Sequence, residues 1–309
     1  MFIANPIYDV VFKFMMEDNK VAKLLVSTII KEEVVALDFR PQEHTVKHDT
    51  FTVYRLDFMA RIATPTGDKV VIIEMQKAHL LADLMRFRRY LGGQYMDKEN
   101  GSRLDEKGER HPLQIYSIFF LGYELGGFPS PVLEVDYKVK DSTTGKEYDQ
   151  PNEFIHSLHH KSWIIQIPYL KEYRRSKVEK LLTIFDQERR TSNSHILNVQ
   201  EEDFPKEYRH IIRRLQKAFE SPKIQDEMEL EDDYLEELCN AERKSYKKLE
   251  EKEKVLEEKV KVIEEKVKVI EEKEKAIEEK SKVIEEQDKV IEAKEKEIVE
   301  LKRLLKMQA

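Results

Sequence analysis

Cysteine is nearly absent from this chain of 309 residues, and the single one, Cys239, excludes an intramolecular disulfide framework and any Cys-rich zinc site. No run of 18 apolar residues occurs, so no segment reads as a membrane-spanning helix. The opening Met1-Phe2-Ile3-Ala4-Asn5-Pro6 has no basic stretch, and Asp9 and Lys13 interrupt the apolar residues after it. That pattern predicts no signal peptide and an unexported, cytoplasmic protein. Neither proline nor glycine occurs after Pro222. Apolar residues are also scarce, at 40%, whereas charged residues reach 37% against the roughly 25% usual in globular domains.

That excess of charge is unevenly placed. Residues 241–309 carry 20 acids and 20 bases, and residues 225–240 carry eight acids and no base. Residues 1–224, with 33 acids and 34 bases, are almost neutral. The net charge of −7 therefore belongs to one short acidic segment, and it says nothing against nucleic-acid binding by the rest. The chain divides into three regions: a head over 1–224, an acidic connector over 225–240 and a tail over 241–309. Whether the connector's carboxylates mask a site by mimicking phosphate charge is left open by the sequence.

The tail repeats every seven residues, reading EEKVKVI, EEKVKVI, EEKEKAI, EEKSKVI and EEQDKVI from Glu257 onward. Leu249, Leu256, Ile263, Ile270, Ile277, Ile284, Ile291, Ile298 and Leu305 form one column. A helix of roughly 65 residues would be about 100 Å long. With that column at d, position a reads Val260, Val267, Glu274, Ser281, Asp288, Glu295 and Lys302, apolar only at its start. A coiled coil joining copies of the chain is the expectation. The alternative is a solitary helix held by pairs such as Glu264–Lys268, Glu271–Lys275 and Glu278–Lys282.

In the head, residues 7–30 read as helical, Thr50–Ile62 as an alternating strand and Lys69–Lys77 as a buried strand. Pro65-Thr66-Gly67-Asp68 reads as the turn between the two strands. A helix over Leu80–Asp97, strands over Leu113–Leu121 and Ser162–Ile167, and helical material at Arg174–Arg190 come next. The order predicts an α/β head with a mixed sheet. Charge stands where core is expected at Asp57 and Glu74. A hairpin whose paired positions sum to about 131 sets those two side by side, with Gln76 on the face of Glu74 and Lys77 on the other. Two adjacent carboxylates need a cation or a shared proton between them, and an all-oxygen site suits Mg²⁺ or Mn²⁺. Such an ion activates water and stabilises charge on a phosphoryl group. The bland reading has the acids fraying into solvent or pairing with Arg55 or Arg61.

YDVVFKFM (Tyr8–Met15), RLDFMARI (Arg55–Ile62), VVIIEMQK (Val70–Lys77) and MRFRRYLGGQY (Met85–Tyr95) resemble, in order and spacing, the PD-(D/E)XK nuclease family transposases, also called recombination-promoting nucleases. The likeness covers most of residues 1–190. It implies a restriction-endonuclease-like α/β core and metal-dependent hydrolysis of DNA phosphodiesters, in DNA recombination or mobile-element processing. Asp57 and Glu74 match the metal-binding acids. Gln76 matches a position that many nucleases of the wider class fill with lysine, whereas this family resembles the E-x-Q form. Arg86 and Tyr90 match an R-x-x-x-Y in the following helix; read without the family, they are a surface arginine and a half-buried tyrosine. Asp9, within D-x-x-F-K, is either a third acid near the metal or a helix cap. The rival to the nuclease is a catalytically inactive DNA-binding or coiled-coil scaffold protein that keeps the fold.

Overall fold

In a computed structural model of the chain, residues 1–47, 52–65, 67–79, 81–97, 103–104, 108–150, 152–170 and 176–307 are described. Within these ranges the side chains at 40–47, 52–57, 81–86, 89–90, 103–104, 110, 153, 156 and 300–307 lie outside the description. The chain begins with β1 (Phe2–Ala4), α1 (Asp9–Met16) and α2 (Asn19–Ile30). The helical opening is thus two helices, parted at Glu17-Asp18. Asp18 caps α2 by accepting from the N–H groups of Lys20 (3.0 Å) and Val21 (3.3 Å). Tyr8, not Asp9, is the residue at the N-cap of α1, and Asp9 is the first residue of the helix, so the capping role considered for it is not the one found.

Three long strands come next: β2 (Ala36–Lys47), β3 (Thr52–Thr64) and β4 (Gly67–Gln76). Thr64 pairs with Gly67 across the expected turn, where Gly67 takes a positive φ of 119°. The crossover helix α3 (Leu81–Met96) and a ribbon of β5 (Arg103–Leu104) with β6 (Arg110–His111) lead to β7 (Gln114–Leu121). After it stand β8 (Val132–Val135), a ribbon of β9 (Val139–Lys140) with β10 (Glu147–Tyr148), α4 (Glu153–Ser157) and β11 (Lys161–Gln166). The head closes with α5 (Lys177–Leu182), β12 (Ile196–Asn198), which pairs with β1, and α6 (Arg209–Phe219). Of the helical material expected over 174–190, Lys177–Leu182 is α-helix, short 3₁₀ turns succeed it, and 171–175 lie outside the described residues.

Six strands make one mixed sheet in the order β2-β3-β4-β7-β11-β8. The first three are antiparallel, β7 is parallel to β4 and to β11, and β8 runs antiparallel at the far edge. Pro41, which cannot donate to a ladder, lies in the edge strand β2. The head is therefore α/β, as expected.

Alternation divides the core between the two sheet faces. Ala60, Ile62, Val71, Ile73, Ile118, Phe120 and Trp163 join one cluster with Val11, Phe12 and Met15 of α1, Leu25 and Ile29 of α2, and Ile211 and Leu215 of α6. Met59, Val70, Ile72, Leu113 and Ile115 form a second cluster with Phe87 of α3. Because β4 is covered on both sides, Val70–Ile73 can be apolar throughout.

The last helix, α7, spans Pro222–Met307, and the division into compact units falls between Cys239 and Asn240. The acidic stretch 225–240 is thus no connector. Ile224, Met228 and Tyr234 are buried, the first two of them in the main core, so its first turns belong to the head. In the second unit the aliphatic column from Leu249 to Ile298 stays at least half exposed at every described step. Ion pairs join Glu250 to Lys254 and Glu278 to Lys282, both at 2.9 Å. No helix among the described residues is long and apolar enough to cross a membrane.

Candidate active site at the carboxyl end of the second hairpin strand

The pairing of β3 with β4 runs from Thr64↔Gly67 to Phe58↔Ile73, so every pair sums to 131. Asp57 and Glu74 are the next residues on the two strands. Asp57 also stands across from Gln42 in β2. Its side chain, like those of Arg86 and Tyr90, lies outside the described residues.

Glu74 has no exposed surface, and Gln76 is buried. Both fall on the Val70–Ile72 face of β4, the face that α3 covers. Glu74 is in register with Phe119 of β7, and the Phe119 ring meets the Phe87 ring of α3 edge-on at 4.4 Å between centroids. Arg86 directly precedes Phe87, and Tyr90 stands one turn after Arg86 in the same helix. The packing of α3 through Phe87 therefore fixes the R-x-x-x-Y turn of the backbone over the strand that carries Glu74.

Gln76 has a partner that its sequence position does not announce. The Tyr123 hydroxyl donates to Gln76 Oε1 at 2.8 Å, and the Tyr123 ring stands edge-on to His79 at 4.9 Å. The two strand ends are brought together by Gly122, whose N–H donates to the Gln76 carbonyl at 2.8 Å. A Cβ at Gly122 would lie 2.5 Å from the Lys77 carbonyl oxygen, so only glycine permits this approach. Gly122 is thus a close-contact residue.

Lys77 points the other way, as alternation requires. Its Nζ lies 3.3 Å from the Tyr8 ring centroid and pairs with Asp232 of α7. Asp232 also accepts from the Tyr8 hydroxyl at 2.9 Å and contacts His195 Nε2 at 2.8 Å. Burial works against ionisation of Asp232, but the contacts with Lys77 and His195 outweigh it and hold the carboxyl below the usual aspartate range. Burial also pushes the Tyr8 phenol well above its ordinary value, so it remains a donor. Asp9 lies beside this second cluster, where its N–H donates to Glu231 Oε2 at 2.9 Å. Since α1 packs on the face opposite α3, Asp9 and Glu74 come from opposite sides of the sheet.

No three His, Cys, Asp or Glu side chains cluster as a metal site among the described residues. The donor types at 57, 74 and 76, two carboxylates and an amide, nevertheless fit a hard divalent cation, and a carboxylate as deeply buried as Glu74 calls for positive charge nearby. Several basic pairs of the head have acidic partners: Arg189 with Asp203 (3.1 Å), Arg213 with Glu201 (3.0 Å) and Arg214 with Glu17 (3.6 Å). His159 and His160 stack on each other and pack near Tyr137 and Tyr95. Comparison with protein-family models gives no match, and comparison with curated proteins and with solved structures gives none either.

Proposed function

We propose that the head is a Mg²⁺- or Mn²⁺-dependent DNA endonuclease of the PD-(D/E)XK transposase type, with a restriction-endonuclease-like core, acting in the cytoplasm. The observation that carries the reading is the 131 register, which makes Asp57 and Glu74 the next facing positions of the hairpin, with Gln76 two residues further on the α3-covered face. Asp57 and Glu74 would hold the metal. When bound, the ion supplies Lewis acidity to the phosphoryl group and lowers the pKa of a water. Gln76, fixed by Tyr123, orients that water or a ligand, and Arg86 steadies charge on the scissile phosphate. Tyr90, one turn on in the same helix, is the second residue that the resemblance assigns to this site.

The test is nicking of supercoiled plasmid with Mg²⁺ or Mn²⁺, wild type beside Glu74→Ala, with a chelator as control. Metal-dependent cutting that disappears in the variant supports the nuclease. Cutting that survives Glu74→Ala removes the assigned site.

One observation favours the second reading, a catalytically inactive DNA-binding or scaffold protein. The ammonium nearest in sequence to the site, Lys77, is turned to the other face and engaged by Asp232. DNA binding without cutting by wild type would select that reading. For the tail we infer a homo-oligomeric coiled coil, since the exposed aliphatic column repeats every seven residues.

A further inference from the structure

On the sheet face away from Glu74, the carboxyl ends of β4, β7 and β11 contribute Lys77, Gly122 and Ile167 to the wall of a cavity of about 640 Å³. Ligands of α/β sheets bind outside the carboxyl ends of their strands. Three donors of different kinds converge on one carboxylate of its wall, Asp232: Lys77 Nζ and the Tyr8 hydroxyl, which also line the cavity, and His195 Nε2, which is not among the lining residues. We propose that Lys77, Tyr8 and His195 form a phosphate-binding cradle, which Asp232 fills as an internal phosphate mimic and for which the DNA backbone competes.

Attachment of α7 does not depend on this contact, because Ile224, Met228 and Tyr234 already bury its first turns against the head. The Asp232 side chain keeps 39% of its surface exposed, against 21% for Lys77 and 13% for His195. Solvent therefore reaches the occupant more readily than the donors, and a turn of the Asp232 side chain uncovers the donors while the helix stays in place. The cavity beside it has room for a phosphate and its sugar. While Asp232 is seated it neutralises Lys77, and the rest of the cavity wall sets Arg190 against Asp186 and Glu188. With Asp232 displaced, the Lys77 ammonium and the Tyr8 hydroxyl face the cavity beside Arg190, and His195 Nε2 is released from Asp232, donors that suit a phosphate oxygen.

The proposal deepens the nuclease reading by adding control of DNA access, but its test needs no cutting. Binding of a fluorescein-labelled duplex is measured by anisotropy in chelator, over a range of salt. Asp232→Asn is expected to tighten binding about three- to tenfold and to steepen the salt slope by about one, the signature of one additional phosphate contact. The gain should vanish in the double variant Asp232→Asn/Lys77→Gln. Wild-type affinity in a folded Asp232→Asn protein overturns the cradle. Should that variant not fold, the His195 ring resonances of the wild type are followed instead. A saturable shift on adding duplex supports the site, and no shift refutes it. If inorganic phosphate moves those resonances and duplex does not, the ligand is free phosphate and the DNA assignment fails. Tightened DNA binding without plasmid nicking would leave the cradle standing and sink the nuclease.

Discussion

Gln76 is a weak residue for phosphoryl chemistry unless something holds it, because its neutral amide can orient a partner but supplies no charge. The hydrogen bond from Tyr123 is what restrains it. Tyr123→Phe keeps the ring against His79 and removes that one donor, which costs about 0.5–1.5 kcal/mol of stability. If Gln76 positions the reacting water, the rate of plasmid nicking should fall about tenfold, as when a partner outside the metal's own ligands is lost, with little change in KM. An unchanged rate would remove Gln76 from the machinery. Asp18 gives a residue-scale prediction about stability. Its desolvation raises its pKa, yet His210 at 2.8 Å and the capped N–H groups of Lys20 and Val21 bring the carboxyl below its ordinary value of 3.8. A depressed carboxylate contributes stability above its unfolded pKa and loses it as pH falls through the folded one. Asp18→Ala should therefore cost about 1 kcal/mol at neutral pH, and the gap between variant and wild type should close below pH 3.8 in urea titrations.

Among elements, the close approach of β4 and β7 decides whether Gln76 and Tyr123 meet. Gly122→Ala places a methyl against the Lys77 carbonyl, and overpacking of this kind costs about 1–3 kcal/mol. Because the clash is with backbone, the shift must reach Gln76 and Lys77 together. Lower thermal stability and weaker nicking are expected, with the tail's helical signal in circular dichroism unchanged. The strand pair itself was legible in the sequence, since Pro65-Thr66-Gly67 sets the turn and alternation then puts Glu74 and Gln76 on one face of β4. Much else was not. Edge strand β2 shows no clean alternation to read, and its Pro41 argues locally against a strand. Contacts such as Lys77 with Asp232 join residues 155 apart in the chain, and no local pattern encodes them. The acidic stretch misled for a related reason. Its charge count suggests a solvated connector, whereas Met228 and Tyr234 among the acids, and Ile224 just before them, are buried.

At the scale of the whole molecule the heptads pose a question of balance. A buried Ile or Leu contributes about 1.5–3 kcal/mol, and association itself costs several kcal/mol, so a few well-covered layers are enough to pair the tail. Those layers are not evenly distributed. In the proposed coiled coil, Val260 and Val267 would complete the seam around Ile263 and Ile270, whereas Glu274, Ser281, Asp288 and Glu295 would interrupt it from there on. Pairing should therefore be anchored over Val260–Ile270 and fray toward the carboxyl end. Ile263→Lys is expected to convert the oligomer to monomer in sedimentation equilibrium, while Ile291→Lys weakens it only modestly. Equal effects of the two substitutions would mean that the seam is uniform, and a monomeric wild type would dismiss the coiled coil. The head does not depend on the outcome: its core is closed by α6 and by the first turns of α7, up to Tyr234, before the repeats begin. Each tail variant should consequently retain the head's thermal transition and its rate of single-strand nicking. Double-strand cuts, which need two heads at one place, should decline with Ile263→Lys and persist with Ile291→Lys.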